Sequence, residues 1–114
     1  MRTFSEEEID IIKETLKEYD YISRQLNHEI KEGASMEQLL DYLETEFDVD
    51  ITNSELKEDY KYIDFNYGTG TYSIISNKDV PTHLSRYVEI WDDKNCRMIT
   101  SITDINELRK VVDK

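Results

Sequence analysis

The chain has 114 residues, and its 26 acidic and 14 basic side chains give a formal net charge of −12. This charge disfavours direct binding to the phosphates of nucleic acids or to anionic membranes, and it favours partners with basic surfaces. One cysteine excludes an internal disulfide, and no apolar run approaches the roughly 20 residues of a membrane span, so we expect one domain over residues 1–114 in a cytoplasmic location.

The first predicted element is a helix that begins after Ser5. Ser5 and Glu8 have the spacing of a capping box, in which each side chain bonds the backbone amide of the other residue. Gly33 is placed to end the helix in a left-handed conformation. Steps of three and four residues put the apolar side chains on one stripe, which consists of Ile9, Ile12, Leu16, Tyr19, Ile22, Leu26 and Ile30.

A second helix is predicted directly after the first. Ser35 and Gln38 repeat the capping-box spacing, and the short Gly33-Ala34 connection predicts a helical hairpin or a sharp elbow. The apolar side chains again recur at helical spacing, so this helix also has one face suited to a core. That face consists of Met36, Leu39, Leu40, Leu43 and Phe47.

The pattern changes at Phe47. Phe47, Val49 and Ile51 alternate with aspartates, and this period of two predicts an extended, acidic connector. Ser54 then has the character of a helix cap, so we expect it to begin a short helical turn that contains Leu56.

The second half of the chain is typical of antiparallel β-structure. Gly68-Thr69-Gly70 is a turn signal between two alternating segments, and Thr103 is placed to cap a final helix. The order of elements therefore predicts an α+β fold, with an N-terminal helical hairpin, an acidic connector, a four-stranded antiparallel sheet and a C-terminal helix. The predicted strands are Tyr60–Tyr67, Thr71–Ser76, Arg86–Trp91 and Cys96–Ser101, with a loop over Asn77–Ser85.

The negative charge is concentrated in one part of the chain. Residues 37–59 contain nine acidic residues and one lysine, a net charge of −8, whereas residues 60–114 contain equal numbers of acids and bases. We expect this acidic segment to bind a basic partner; the alternative is a solvated surface that only improves solubility. The predicted partner-binding residues are Asp41, Glu44, Glu46, Asp48, Asp50, Glu55, Glu58 and Asp59.

Four of these carboxylates occupy every second position. In an extended chain Glu44, Glu46, Asp48 and Asp50 would point to one side, about 6.6–6.8 Å apart, a spacing comparable to that of successive phosphates in nucleic acid. If the second helix continues through Phe47 instead, Glu44 and Asp48 share a helical face. The extended interpretation predicts an ordered row of negative charge that mimics nucleic acid.

No metal, cofactor or catalytic site is predicted. Residues 48–59 can be aligned with a twelve-residue calcium loop, but Asn53 replaces the turn glycine and Asp59 replaces the final glutamate. His28, His83 and Cys96 do not have the spacing of zinc ligands. We therefore expect a protein that acts by binding and has no enzymatic activity.

The functional expectation is an inhibitor of a nucleic-acid-handling protein that acts by nucleic-acid mimicry or steric occlusion. Its small, acidic and motif-free character is shared with phage and mobile-element anti-defence factors, such as anti-CRISPR and anti-restriction proteins. Two alternatives remain open: an immunity protein or antitoxin that blocks a basic toxin, and a homo-oligomeric structural or assembly protein. The expected partner in the first two cases is a protein with a basic groove.

Overall fold

The computed structural model describes residues 3–85, 87–102 and 105–113. The fold is α+β, with helices and an antiparallel sheet, as the sequence predicts. The helices are α1 (Glu6–Lys31), α2 (Met36–Glu46) and α3 (Ile105–Val112). The strands are β1 (Asp50–Leu56), β2 (Tyr60–Tyr67), β3 (Gly70–Asn77), β4 (His83–Leu84), β5 (Val88–Asp92) and β6 (Arg97–Ile102).

The ends of the first two helices are fixed by local hydrogen bonds. Both predicted capping boxes are confirmed, with the Ser5 hydroxyl accepting from the amide of Glu8 at 3.2 Å and the Ser35 hydroxyl accepting from that of Gln38 at 3.1 Å. α1 ends as predicted at Gly33, whose φ of +91° is open to glycine without strain. The chain changes direction at Gly33, so α2 begins only a few residues later, at Met36.

The sheet is antiparallel throughout, with the strand order β1-β2-β3-β5-β6. β4 and β5 both pair with the edge of β3 that faces away from β2. β5 pairs near the start of β3, where Gly70 lies opposite Ile90, and β4 pairs further along β3, where Ile74 lies opposite Leu84. β4 and β5 therefore pair with different parts of the same edge of β3. The two pairings differ in register by two residues.

The helices cover one face of the sheet and leave the other open. Buried side chains at alternate positions of the sheet pack against the apolar stripes of the helices and form one core cluster. Within this cluster the ring of Tyr72 stacks between those of Tyr19 and Phe65, with centroid distances of 5.9 and 5.4 Å. The cluster contains Ile12, Leu16, Ile22, Leu26, Met36, Leu39, Leu43, Ile63, Phe65, Tyr72, Ile74, Leu84, Val88, Ile90, Ile99 and Leu108. Both predicted helix stripes thus contribute to the core.

The predicted sheet of four strands is wrong in number, since the structure has six strands. β1 was missed because Ser54 was interpreted as a helix cap; in the structure Ser54 lies within β1, opposite Ile63 of β2. β4 was missed because it has only two residues, and its pairing with β3 leaves no periodic signal in the sequence. Cys96 lies in the turn before β6, with a φ of +51°, and does not begin the strand.

Two sequence predictions fall on parts of the chain that lie outside the described residues: the Thr103 cap of α3 and the start of the third predicted strand at Arg86. Within the described ranges, no helix combines the length and the apolar character needed to cross a membrane.

Candidate functional site

The acidic row predicted for residues 44–50 is not formed. α2 continues through Glu46, so Glu44 and Glu46 differ by about 200° around the helix axis and lie on opposite sides of it. The helix continues because its apolar period extends to Leu43, and the amide of Phe47 closes the last turn by donating to the oxygen of Leu43 at 3.3 Å. The proposed phosphate-like spacing of these carboxylates is therefore wrong.

The other predicted residues are spread along β1. Asp48 follows the end of α2, and Asp50 begins β1; both are exposed. Glu58 and Asp59 lie in the turn at the far end of β1, about 20 Å from Asp50 at the rise of a β-strand. Between these ends, Glu55 forms an ion pair with Lys57 (2.6 Å). The eight predicted residues consequently do not form one surface.

Two of the eight, Asp41 and Glu46, lie in a groove between the C-terminal part of α1 and α2. We call this the α1–α2 groove; it has a volume of about 580 Å³. It also contains the carboxylates of Glu29, in the last turn of α1, and of Glu32, the residue that follows the helix. Its lining residues are Glu29, Glu32, Gly33, Ala34, Gln38, Leu39, Asp41, Tyr42, Thr45 and Glu46. None of these described lining residues is basic, so the groove concentrates negative potential.

The groove exists because of the way in which α1 ends. The amide of Gly33 donates to the oxygen of Ile30 and that of Ala34 to the oxygen of Glu29, both at 3.0 Å, which is the Schellman arrangement. The chain then turns directly into α2, and Leu39 is fully buried beneath the groove. The opposing acidic faces of α1 and α2 are therefore held by backbone hydrogen bonds and core packing.

An aromatic cluster lies beside the groove and is centred on Phe47. The ring of Phe47 contacts Tyr42, Tyr21 and Tyr67, with centroid distances of 5.4, 6.0 and 6.0 Å. Tyr21 is 53% exposed, and Tyr42, which also lines the groove, is partly exposed. We call these four residues the Phe47 cluster.

The carboxylates of the α1–α2 groove change the pKa of a tyrosine in the Phe47 cluster. Partial burial raises the pKa of the Tyr42 hydroxyl, and the charges of Glu29 and Glu46 raise it further. Both carboxylates therefore act on the same ring. The combination of a partly exposed aromatic ring with surrounding carboxylates is suited to basic side chains, which interact both with the negative charge and with the ring face.

The α1–α2 groove is lined largely by polar groups. Carboxylates, a phenol, an amide and a hydroxyl line it. Across the described ranges, no group of three or more histidine, cysteine, aspartate or glutamate side chains is arranged to hold a metal ion. Comparisons with protein-family models, with curated proteins and with solved structures gave no match.

Sequence reasoning missed Glu29, Glu32, Tyr21 and Tyr42 as possible site residues. A signal for the first two was present: Glu29 and Glu32 are three residues apart on a helix, off the apolar stripe and next to the helix-ending Gly33. They were overlooked because the count by segment assigned α1 only a modest net charge. The groove depends on two helices meeting, which no single segment reveals.

Proposed function

We propose that this protein is a non-enzymatic inhibitor that binds a basic surface of a nucleic-acid-handling protein through the α1–α2 groove. Steric occlusion is the mode of action: the inhibitor covers the surface that the nucleic acid would otherwise occupy. The proposal rests chiefly on one observation, the presence of four carboxylates in a groove whose lining contains no base, beside the partly exposed Tyr42. Phage and mobile-element anti-defence factors, including anti-CRISPR and anti-restriction proteins, are the class of inhibitor proposed.

The Phe47 cluster supports this choice of surface over the rest of the acidic segment. Binding energy in protein interfaces is concentrated in a few aromatic and arginine residues, surrounded by polar contacts that exclude water. Tyr21 and Tyr42 supply the aromatic anchors, and Asp41 and Glu46 supply the charged rim. Asp48 and Asp50 follow α2 closely in the chain and extend the negative field that attracts a basic partner.

An immunity protein or antitoxin would use the same electrostatics against a basic toxin, so the identity of the captured partner separates the two functions. A homo-oligomeric assembly protein would instead self-associate through surfaces other than an acidic groove, since two such grooves repel each other. Light scattering of the purified chain tests this third function, which predicts a stable oligomer.

The direct test is affinity capture from a host lysate at low salt, followed by competition with nucleic acid. We expect duplex DNA or RNA to displace the captured protein, and the chain to block that protein's nucleic-acid binding. High salt should weaken the complex steeply because the contacts are largely ionic. A captured protein that binds the chain and nucleic acid simultaneously would contradict occlusion.

Matched variants locate the binding surface. The double substitution Asp41→Asn/Glu46→Gln removes two charges from the groove, whereas Asp10→Asn/Glu14→Gln removes two exposed charges from the other end of α1. We expect the first pair to weaken capture roughly tenfold or more and the second to change it little. Equal effects of both pairs would mean that net charge, and not the groove, governs binding.

A further inference from the structure

A second cleft lies on the open face of the sheet, at the end where the β2–β3 turn contacts α1. It has a volume of about 400 Å³ and lies between the β2–β3 turn and the end of β5. Its lining residues come from four strands (β1, β2, β3 and β5), from the β2–β3 turn and from the turn after β5. The residues on which the following argument depends are Trp91, Glu89, Asp93, Asn66 and Thr71.

The register of the sheet explains why these side chains meet. Asn66 lies opposite Thr71, and Thr71 lies opposite Glu89, so the three form one row across β2, β3 and β5. Trp91 is two residues beyond Glu89 on the same strand, and both alternate with the buried Ile90. Residues two apart in a strand point to the same face, so the indole and the Glu89 carboxylate share the open face.

The cleft is held in shape by hydrogen bonds that do not involve a ligand. The amide of Trp91 donates to the backbone oxygen of Thr69 at 3.1 Å, and the Thr71 hydroxyl donates to the Asn66 side-chain oxygen at 2.8 Å. In the turn that carries Asp93, the side-chain amide of Asn95 donates to the buried carboxylate of Asp92 at 2.7 Å. Both walls of the cleft are therefore preorganised, which reduces the entropic cost of binding.

The two carboxylates of this cleft have no basic partner within residues 3–85, 87–102 and 105–113. Among the ion pairs formed between described residues, none includes Glu89 or Asp93. The cleft thus presents one indole and two unpaired negative charges within a chain of net charge −12. Neutral or anionic ligands would leave these charges uncompensated, whereas a cation would pair with them and also interact with the indole ring.

We propose that this cleft binds the guanidinium group of an arginine side chain presented by a partner protein. A guanidinium is planar, so it can stack on the indole while its N–H groups bond a carboxylate in the forked geometry that an ammonium lacks. The Asn66 side chain supplies a further polar contact at the opposite wall. The small volume accommodates one side chain and excludes a folded segment of the partner. This site is separate from the α1–α2 groove and does not depend on it.

The chain offers a clean reporter for this site, because Trp91 is its only tryptophan. The indole N–H signal in a proton–nitrogen NMR spectrum can be followed while N-acetylarginine amide, a short arginine-containing peptide or the matching citrulline peptide is added. We expect a saturable shift with both arginine ligands, stronger with the peptide, and none with citrulline, which has the same shape without the charge. A lysine peptide should bind several-fold more weakly.

Variants with a matched control complete the test. The variant Glu89→Gln/Asp93→Asn keeps Trp91 and should bind the arginine peptide roughly tenfold more weakly. The control Asp79→Asn/Glu107→Gln has the same change in net charge, and its affinity for the peptide should stay within about twofold of the parent's. The proposal would be overturned by any of three results: the first variant keeps full affinity for the arginine peptide, or the citrulline peptide or the lysine peptide binds as tightly as the arginine peptide. The groove variant Asp41→Asn/Glu46→Gln should retain the Trp91 response, so failure at one site can be told from failure at the other.

Discussion

Asp20 and Arg109 join the first and last helices of the fold through a forked ion pair between residues 89 positions apart in the chain. One guanidinium nitrogen, Nη1, donates to Oδ2 of Asp20 at 2.9 Å, and Nη2 donates to Oδ1. These hydrogen bonds from Arg109 hold the pKa of the Asp20 carboxyl below its ordinary value. α3 is short, with Leu108 buried and Ile105 and Val112 partly buried against the core, and the ion pair adds a polar contact to α1.

The first prediction concerns this pair. Asp20→Asn should lower the free energy of unfolding by about 0.5–1 kcal/mol at neutral pH, a modest value because both side chains are more than a third exposed. Since the pKa of Asp20 is lowered in the folded state, the stabilisation is present above its ordinary pKa of 3.8 and is lost as pH falls through the folded value. Urea unfolding at neutral pH and at about pH 2 measures both. If Asp20→Asn changed the free energy of unfolding by the same amount at both pH values, the ionised Asp20–Arg109 pair would not be the source of the stabilisation.

The second prediction concerns Glu18, whose pKa is changed in the opposite direction. Partial burial raises the pKa above 4.5, repulsion by Glu14 adds to this, and a hydrogen bond from the Thr69 amide opposes it. The ionised carboxylate therefore costs stability at neutral pH, and this cost disappears as pH falls below the ordinary pKa. Glu18→Gln keeps an acceptor for Thr69 and should be slightly more stable than the parent at neutral pH, by no more than about 0.5 kcal/mol because solvent screens the partly exposed carboxylate. Thermal unfolding should show the two proteins converging in acid; a less stable variant at neutral pH would refute this.

The third prediction uses two glycines with positive φ. Gly33 has open space where a Cβ would be, whereas a Cβ on Gly68 would collide with the Glu18 carboxylate. Gly33→Ala should cost about 1–2 kcal/mol from backbone strain alone, and Gly68→Ala should cost slightly more, because the flexible Glu18 side chain must also move and lose its bond from the Thr69 amide. Combining Gly68→Ala with Glu18→Ala should recover part of the loss, giving a coupling energy of about 0.5 kcal/mol or more in a double-mutant cycle. If the destabilisation by the two substitutions were strictly additive, the Glu18 side chain and the Gly68 turn would not interact.

The fourth prediction tests the core face of α1. Ile12 is fully buried, and Ile12→Ala should destabilise the protein by about 2–5 kcal/mol through lost burial and a residual cavity. Ile12→Asp should abolish folding, because it would bury an unpaired charge. The neighbouring Lys13 is exposed, so Lys13→Ala serves as the control and should stay within about 0.5 kcal/mol of the parent. Circular dichroism during heating distinguishes these cases.

Signals confined to a few neighbouring residues predicted the helices well. Ser5 with Glu8, and Ser35 with Gln38, specify helix starts through bonds formed within one turn, so no knowledge of the remaining fold is needed. The α+β class followed from the order of helical and alternating segments. The β2–β3 hairpin was predicted for the same local reason, since glycines flank its turn.

Features that depend on distant partners were predicted poorly. Ser54 is compatible with a helix cap and with a strand, and its pairing with Ile63 of β2 decides between them. The apolar alternation at Phe47–Ile51 was rightly taken as extended, but extending it back to Glu44 gave a charge row that the helix does not allow. Alternation alone also does not decide which face each sheet aromatic occupies; the strand register places Phe65 and Tyr72 in the core and Trp91 on the open side.

The length of α1 has a mechanical consequence. Its 26 residues extend over about 39 Å, nearly the full 44 Å of the longest dimension of the protein. One end contributes Glu29 and Glu32 to the α1–α2 groove, and near the other end Glu8 pairs with Arg97 of β6 at 3.6 Å. The two ends of a continuous helix move together when it tilts as a rigid body, so a ligand that tilted α1 at the groove would also shift Glu8 relative to Arg97.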